Sequence, residues 1–170
     1  VVHLAAKISV DESIENPNET FDVNVNGTKN ILEACKKNNI KKLIVASSAA
    51  VYGENTSQSK LKEISKTNPI SPYGESKLLM ENEINKFQIK NSNLKCIILR
   101  FFNIFGKGQS SEYAGVITKF IEKISTNESI EIFGDGLQER DFISVDDVIE
   151  SIFNAMKNGT GGTYNIGSGK

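Results

Sequence analysis

Leu43-Ile44-Val45-Ala46-Ser47-Ser48 is the stretch that decides the fold. Four apolar residues in succession leave no polar face, so residues 40–48 read as a strand buried on both sides that ends in small hydroxyl residues. Working outward, Cys96-Ile97-Ile98-Leu99 repeats the pattern within residues 95–102, and residues 1–6 form a shorter apolar run of the same kind. Helical periodicity fills the intervals. Pro17 stands near the start of a long segment in which Val23, Gly27, Ile31 and Ala34 recur at three- and four-residue steps. That helix should end near Asn38-Asn39, where Asn tolerates a left-handed cap. Pro72 opens a second helix, since its fixed φ suits a first turn, and Leu78, Leu79, Ile84 and Phe87 carry it to about Ile89. Strands and helices in alternation imply a parallel sheet covered on both faces.

The polar stretch 53–71 reads as a surface loop with one helical turn. Further on, a helix is expected over residues 114–124, then a short strand at 130–133 and a turn at Gly134-Asp135-Gly136. Phe142-Ile143-Ser144-Val145 reads as a strand, with Asp146 capping a helix that runs to about Met156. The alternation loosens after about residue 105. Residues 1–105 are therefore expected to form the sheet domain and 106–170 mainly a smaller lobe, with segments returning to the sheet. The chain opens without Met, already in a buried-strand pattern. Because termini usually lie at the surface, it is expected to be a piece of a longer protein.

A net charge of −1, with no block of like charges at either end, argues against nucleic acid or an anionic membrane as the main partner. No apolar run approaches the ~20 residues of a membrane span, and no basic-then-apolar leader precedes the first strand. Cys35 and Cys96 have neither disulfide-framework nor zinc spacing and lie in apolar stretches. Buried thiols and a cytoplasmic location are the expectation.

The available chemistry is narrow. His3 is the only histidine and sits at an apolar strand end, so a His-based metal site is not expected and His3 reads as structural. There is no Gly-x-Ser-x-Gly elbow to supply a hydrolase nucleophile. General base work falls to Tyr, Lys or a carboxylate. One constellation offers it: Ser48, and Tyr73-Gly74-Glu75-Ser76-Lys77 twenty-five residues later. Tyr73 and Lys77, four apart at a helix start, share one face. A phenol titrates near ~10 in water, and a neighbouring ammonium favours the phenolate. Lowering it to near ~7 takes roughly 4 kcal/mol. Ser48 ends a buried strand, at the edge where parallel sheets bind ligands. A Tyr-x-x-x-Lys pair alone also occurs by chance on many helices; its surroundings carry the reading.

Those surroundings are His3-Leu4-Ala5-Ala6, Asn24-Val25-Asn26-Gly27-Thr28, Ser47-Ser48-Ala49-Ala50-Val51-Tyr52-Gly53, Ser71-Pro72-Tyr73-Gly74-Glu75-Ser76-Lys77, Arg100-Phe101-Phe102-Asn103, Arg140-Asp141-Phe142-Ile143 and Tyr164-Asn165-Ile166-Gly167. In this order they resemble the UDP-glucose 4-epimerase branch of the extended short-chain dehydrogenase/reductases, along essentially the whole chain. The resemblance implies an α/β fold: a Rossmann-like parallel sheet lacking its N-terminal units, with a smaller C-terminal lobe for a nucleotide sugar. It implies NAD as cofactor, no metal, and a homodimer through the helices at about residues 18–38 and 73–89. By resemblance Tyr73 is the catalytic base, Lys77 holds the nicotinamide ribose, and Ser48 bonds the reacting sugar hydroxyl. Leu4, Ala5, Ala6, Asn24 and Phe102 match cofactor-lining positions. Asn103, Val116, Phe133 and Arg140 match positions that contact the nucleotide or its diphosphate.

Arg140 also stands out by composition, as one of only two arginines beside Arg100. A forked guanidinium suits a diphosphate better than an ammonium does, although an ion pair with Glu139 or Asp141 is the alternative. The family's Gly-x-x-Gly-x-x-Gly pyrophosphate loop is not among the thirteen glycines, so the 170 residues are expected to be inactive on their own. The implied reaction is C4 epimerisation of UDP-glucose and UDP-galactose through a 4-keto intermediate. A nucleotide-sugar 4,6-dehydratase or reductase on the same fold is the rival. The dehydratase is disfavoured because Ala49 and Ala50 stand where that family carries Asp-Glu. A non-enzymatic dinucleotide sensor is a further rival, disfavoured because both Tyr73 and Lys77 are kept.

Overall fold

The computed structural model describes residues 1–55, 59–109, 115–132 and 134–169. Its main sheet is built from β1 (Val2–His3), β2 (Lys42–Ser48) and β3 (Lys95–Phe101), joined by a last strand, β6 (Gly162–Ile166). All pairings are parallel, in the order β1-β2-β3-β6. Two short strands, β4 (Asn103–Phe105) and β5 (Phe142–Ser144), pair in parallel beside it.

Alternate residues of a strand face opposite ways, and here both faces are apolar. Leu43 and Val45 of β2 and Cys96 and Ile98 of β3 pack against Leu32 and Cys35 of α3 (Gly27–Lys37) and Met80 and Ile84 of α4 (Pro72–Lys90). Ile44, Ile97 and Leu99 turn the other way, toward Ile152 and Ala155 of α6 (Val145–Asn158). Helices on both faces explain why β2 shows no polar alternation. Each large side chain so buried contributes about 1.5–3 kcal/mol relative to exposure.

The elements depart from expectation in informative places. β1 stops at His3 instead of reaching residue 6, because the Asn24 side chain takes over the backbone of Lys7 (N to Oδ1 2.8 Å, Nδ2 to O 3.0 Å) in place of a strand ladder. An unforeseen helix, α1 (Val10–Glu15), follows; Ser9 caps it by accepting from the Glu12 amide at 3.2 Å. Pro17 opens α2 (Pro17–Phe21), and the chain then widens into a π-helical turn at Asp22–Asn26 before α3. Asn39, at φ 53°, is the left-handed residue expected after α3.

Ser144 caps α6, accepting from the Asp147 amide at 3.1 Å, so Asp146 lies in the first turn and is not the cap. Residues 130–132 are irregular and Ile132 is exposed, which corrects the strand expected there. A three-residue run needs a neighbouring edge to become a strand, and among the described residues nothing pairs with it. Val116–Ser125 forms α5. Among the described residues no helix is long and apolar enough to cross a membrane.

Candidate active site

The carboxyl ends of β1, β2 and β3 open into one cavity of about 660 Å³, the edge at which parallel sheets take ligands. Leu4, Ala6 and Ile8 line it from the segment after β1, Ser48 from the end of β2, and Phe101 and Phe102 from the end of β3. Tyr73 and Lys77 enter from the first turns of α4.

Ser48 ends β2 and caps the short 3-10 turn Ala49–Tyr52, its Oγ accepting from the Ala50 amide at 3.1 Å. Its own O–H is thereby left to face the phenolic oxygen of Tyr73. Lys77 is 3% exposed, donates to the Ala46 carbonyl at 2.9 Å, and lies 5.9 Å from the centroid of the Tyr73 ring. Burial pushes the Tyr73 phenol up from its usual value, with the Ser48 hydroxyl opposing it. The lowered phenol expected beside an ammonium is therefore not found in the chain itself. Loss of water outweighs what the Ser48 hydroxyl supplies, while the Lys77 ammonium, 5.9 Å from the ring centroid, donates to the Ala46 carbonyl.

Burial lowers Lys77 to about 8, with Glu81 opposing the shift. For a base whose folded value lies below its unfolded one, the cost of burying the charge is fully present below the folded value. It fades as pH rises toward the ordinary 10.5. The cost is at most about 3 kcal/mol. Lys77→Met is accordingly expected to raise stability at pH 7 in urea denaturation, and the gain should vanish toward pH 10. An unchanged midpoint at pH 7 would show the ammonium to be fully compensated.

A close approach sets the Tyr73–Ser48 contact. A Cβ built on Gly74 would lie 2.7 Å from the Ala50 carbonyl oxygen, so only glycine lets α4 come this near the turn after Ser48. Gly74→Ala is expected to cost about 1–3 kcal/mol in stability. By lifting Tyr73 off Ser48 it should also slow any reaction there by about tenfold or more. A variant with wild-type melting temperature and turnover would show that the turn yields without moving the tyrosine.

The sites foreseen for the nucleotide converge on the same cavity, since Asn103, Val116 and Arg140 also line it. Asn103 is held by its Nδ2 donating to the Asp141 carbonyl at 2.9 Å. Arg140 does not make the alternative ion pair. Its Nη1 donates to the Glu139 carbonyl at 2.9 Å, while the Asp141 carboxylate accepts from the Ser168 amide and hydroxyl (2.7 and 2.8 Å) and the Gly169 amide (2.8 Å). Ala5 is exposed and is not among the lining residues, and Phe133 lies outside the described residues.

Asn24 is 1% exposed, with its amide engaged by Lys7 and Ser76, so it stands behind the wall rather than in it. His3 is structural in placement. Thr28 gives its hydroxyl proton to the Asn24 carbonyl at 2.7 Å and so accepts from His3 Nε2 at 3.0 Å. Burial first, then the Lys77 charge, hold this imidazole below its usual value.

Three groups around the site were not singled out from the sequence: Ser13, Ser76 and Glu81. Only Glu81 left a signal, four residues beyond Lys77 on the same helix face. Both cysteines are buried with free thiols, Cys96 pushed up by burial to about 11. Among the described residues no cluster could hold a metal ion.

The model of the NAD dependent epimerase/dehydratase family matches residues 1–167. This chain belongs to that family. A Methanocaldococcus jannaschii protein provisionally named UDP-glucose 4-epimerase is 44% identical, with 100% of this chain covering 55% of that protein. The Thermotoga maritima UDP-glucose 4-epimerase with UDP-glucose superposes with a TM-score of 0.94 at 37% identity, over 100% of this chain and 55% of that one. A UDP-N-acetylglucosamine 4-epimerase from Methanobrevibacter ruminantium, in complex with UDP-N-acetylmuramic acid, gives a TM-score of 0.91 at 42% identity, again over 100% and 55%. The chain spans about half the length of the relatives it matches.

The residues present fit the nicotinamide-ribose half of the NAD that gives the family its name. Lys77 commits one of its three donors to Ala46. The hydroxyls of Ser48 and Tyr73 stand at the same end of the cavity, and Leu4, Ala6 and Phe102 give an apolar wall for a flat ring.

Proposed function

We propose that the intact protein is an NAD-dependent nucleotide-sugar epimerase acting at C4 of a UDP-hexose, UDP-glucose and UDP-galactose first among them. The observation that carries this is the convergence of Ser48, Tyr73 and Lys77 with Asn103, Val116 and Arg140 on one cavity. Bound NAD supplies reversible hydride storage. Tyr73 exchanges the proton of the sugar hydroxyl, Ser48 orients that hydroxyl, and Lys77 binds the ribose and biases the phenol toward ionisation. Arg140 offers a fork to the diphosphate, and Asn103, Val116 and Phe133 complete the nucleotide side. Leu4, Ala5, Ala6, Asn24 and Phe102 serve the cofactor, by contact or from behind.

Residues 1–105 are assigned to the cofactor domain and 106–170 mainly to the sugar-nucleotide lobe, with β6 returning to the sheet. A homodimer through the helices at about residues 18–38 and 73–89 is part of the reading, supported by the exposed Val23, Leu79 and Ile89 within them. Two buried free thiols support a cytoplasmic location.

Incubating the intact protein with UDP-galactose, and separately with UDP-N-acetylgalactosamine, tests the reaction. Accumulation of the C4 epimer of the first supports the reading as stated, and turnover of only the N-acetylated sugar moves the substrate. A dehydrated product, or none, overturns it. A monomeric mass by sedimentation at micromolar concentration counts against the dimer.

A further inference from the structure

We propose that Ser13, Asn24 and Ser76 are positioning residues, a buried polar cradle that holds the Tyr73 backbone and ties it to the segment lining the cavity. This rests on the epimerase reading for its consequence but not for its geometry. The first amides of α4 have no partner within the helix and are satisfied from outside it. Pro72 has no N–H to satisfy. The Gly74 amide donates to Ser71 Oγ at 3.1 Å, and the Glu75 amide to the Ser71 carbonyl at 2.9 Å. The remaining one, Tyr73 N–H, is capped from another helix by Ser13 Oγ at 3.1 Å, sixty residues away in sequence. Ser13 is wholly buried, and its own proton goes to the Val10 carbonyl at 2.6 Å, so its oxygen faces Tyr73 as an acceptor.

The Tyr73 carbonyl is held from the opposite side. Ser76 donates to it at 2.7 Å, and Ser76 Oγ accepts from Asn24 Nδ2 at 2.9 Å. Asn24 spends the rest of its amide on both backbone groups of Lys7, in the manner of a strand partner. Lys7 lies between Ala6 and Ile8, which line the cavity. The π-helical turn at Asp22–Asn26 contains Asn24, and such wide turns recur at functional sites. Ser76 is wholly buried and Asn24 1% exposed, so no water replaces these bonds cheaply. Tyr73 thus cannot shift against the cofactor wall without breaking a buried hydrogen bond.

The experiment uses the intact protein with NAD bound, in Ser13→Ala and Ser76→Ala, with UDP-galactose as substrate. Each is expected to lower kcat by about 10- to 100-fold, with KM for the sugar changed by less than about twofold, because the substrate contacts stay in place. Amide exchange at Tyr73 is expected to quicken about tenfold or more in Ser13→Ala. Should Ser76→Ala fail to fold, Asn24→Asp carries the same expectation. It keeps the side-chain volume and the bond from the Lys7 amide but loses both donors. A kcat within about twofold of wild type in folded variants, or a KM that rises in step with the fall in kcat, overturns the proposal. If the wild type turns over no UDP-sugar, the epimerase reading fails by itself. Unchanged exchange at Tyr73 in Ser13→Ala then still overturns the cradle, and faster exchange sustains it.

Discussion

Tyr73→Phe in the intact protein is expected to lower turnover of UDP-galactose by ~10²–10⁴, the range for a lost general base. Folding should survive, because the ring keeps its volume and only the phenolic oxygen is removed. Among the described residues lining the cavity, no histidine or carboxylate stands in reserve, so no neighbour takes over the proton. Lys77→Ala should also slow turnover, and Ser48→Ala should cost least, since it leaves base and cation in place. The wild-type pH profile follows from the two shifts. Tyr73, raised by burial, must ionise to act as base, so the rate should climb through neutrality. Lys77 gives up its charge near pH 8, so the two titrations offset one another beyond that point and the rate should level off. Near wild-type activity in Tyr73→Phe would sink the mechanism whatever the fold.

Much of the sheet was legible because its signal is local. A run such as Leu43-Ile44-Val45-Ala46 has no reading as a surface strand, and helices on both faces are what such a run demands. The Pro72 start of α4 was equally plain. β6 was not foreseen as a strand: it alternates half-buried and exposed residues and joins the sheet only through β3, from more than sixty residues away. Residues 130–132 erred the other way, being apolar enough for a strand but without a described edge to join.

At the site, residue types were legible and their balance was not. The sequence places Tyr73 and Lys77 on one face, but the direction of the phenol's shift depends on burial against charge, and burial is a property of the assembled fold. Asn24 could be marked as belonging near the cofactor. That it grips Lys7 and Ser76 required knowing where β1 ends. Ser13 could not have been found at all, because the amide it caps lies sixty residues downstream.

The largest stability effect is expected from Glu81→Gln, one turn beyond Lys77 in α4. Glu81 and Arg100 are 3% and 6% exposed and meet as a two-pronged pair, Nε to Oε1 at 3.0 Å and Nη2 to Oε2 at 2.6 Å. Ser47 adds its hydroxyl to Oε1 at 2.5 Å, and Arg100 Nη1 reaches the Tyr52 hydroxyl at 2.8 Å, which donates to Asn165 at 2.6 Å. The pair therefore joins α4 to the ends of β2, β3 and β6. Glu81→Gln keeps the volume but leaves a buried guanidinium uncompensated, at a cost of about 3–5 kcal/mol. For a chain of this size that lowers the melting temperature by on the order of 10 °C. Glu81→Met with Arg100→Met removes both charges together, so it should lose less than the sum of the single losses. Without Glu81 the Lys77 ammonium also loses the group that opposes its desolvation, so the levelling of the rate should begin below pH 8. A Glu81→Gln protein within about 0.5 kcal/mol of wild type would mean that water reaches the guanidinium and the pair is not sealed.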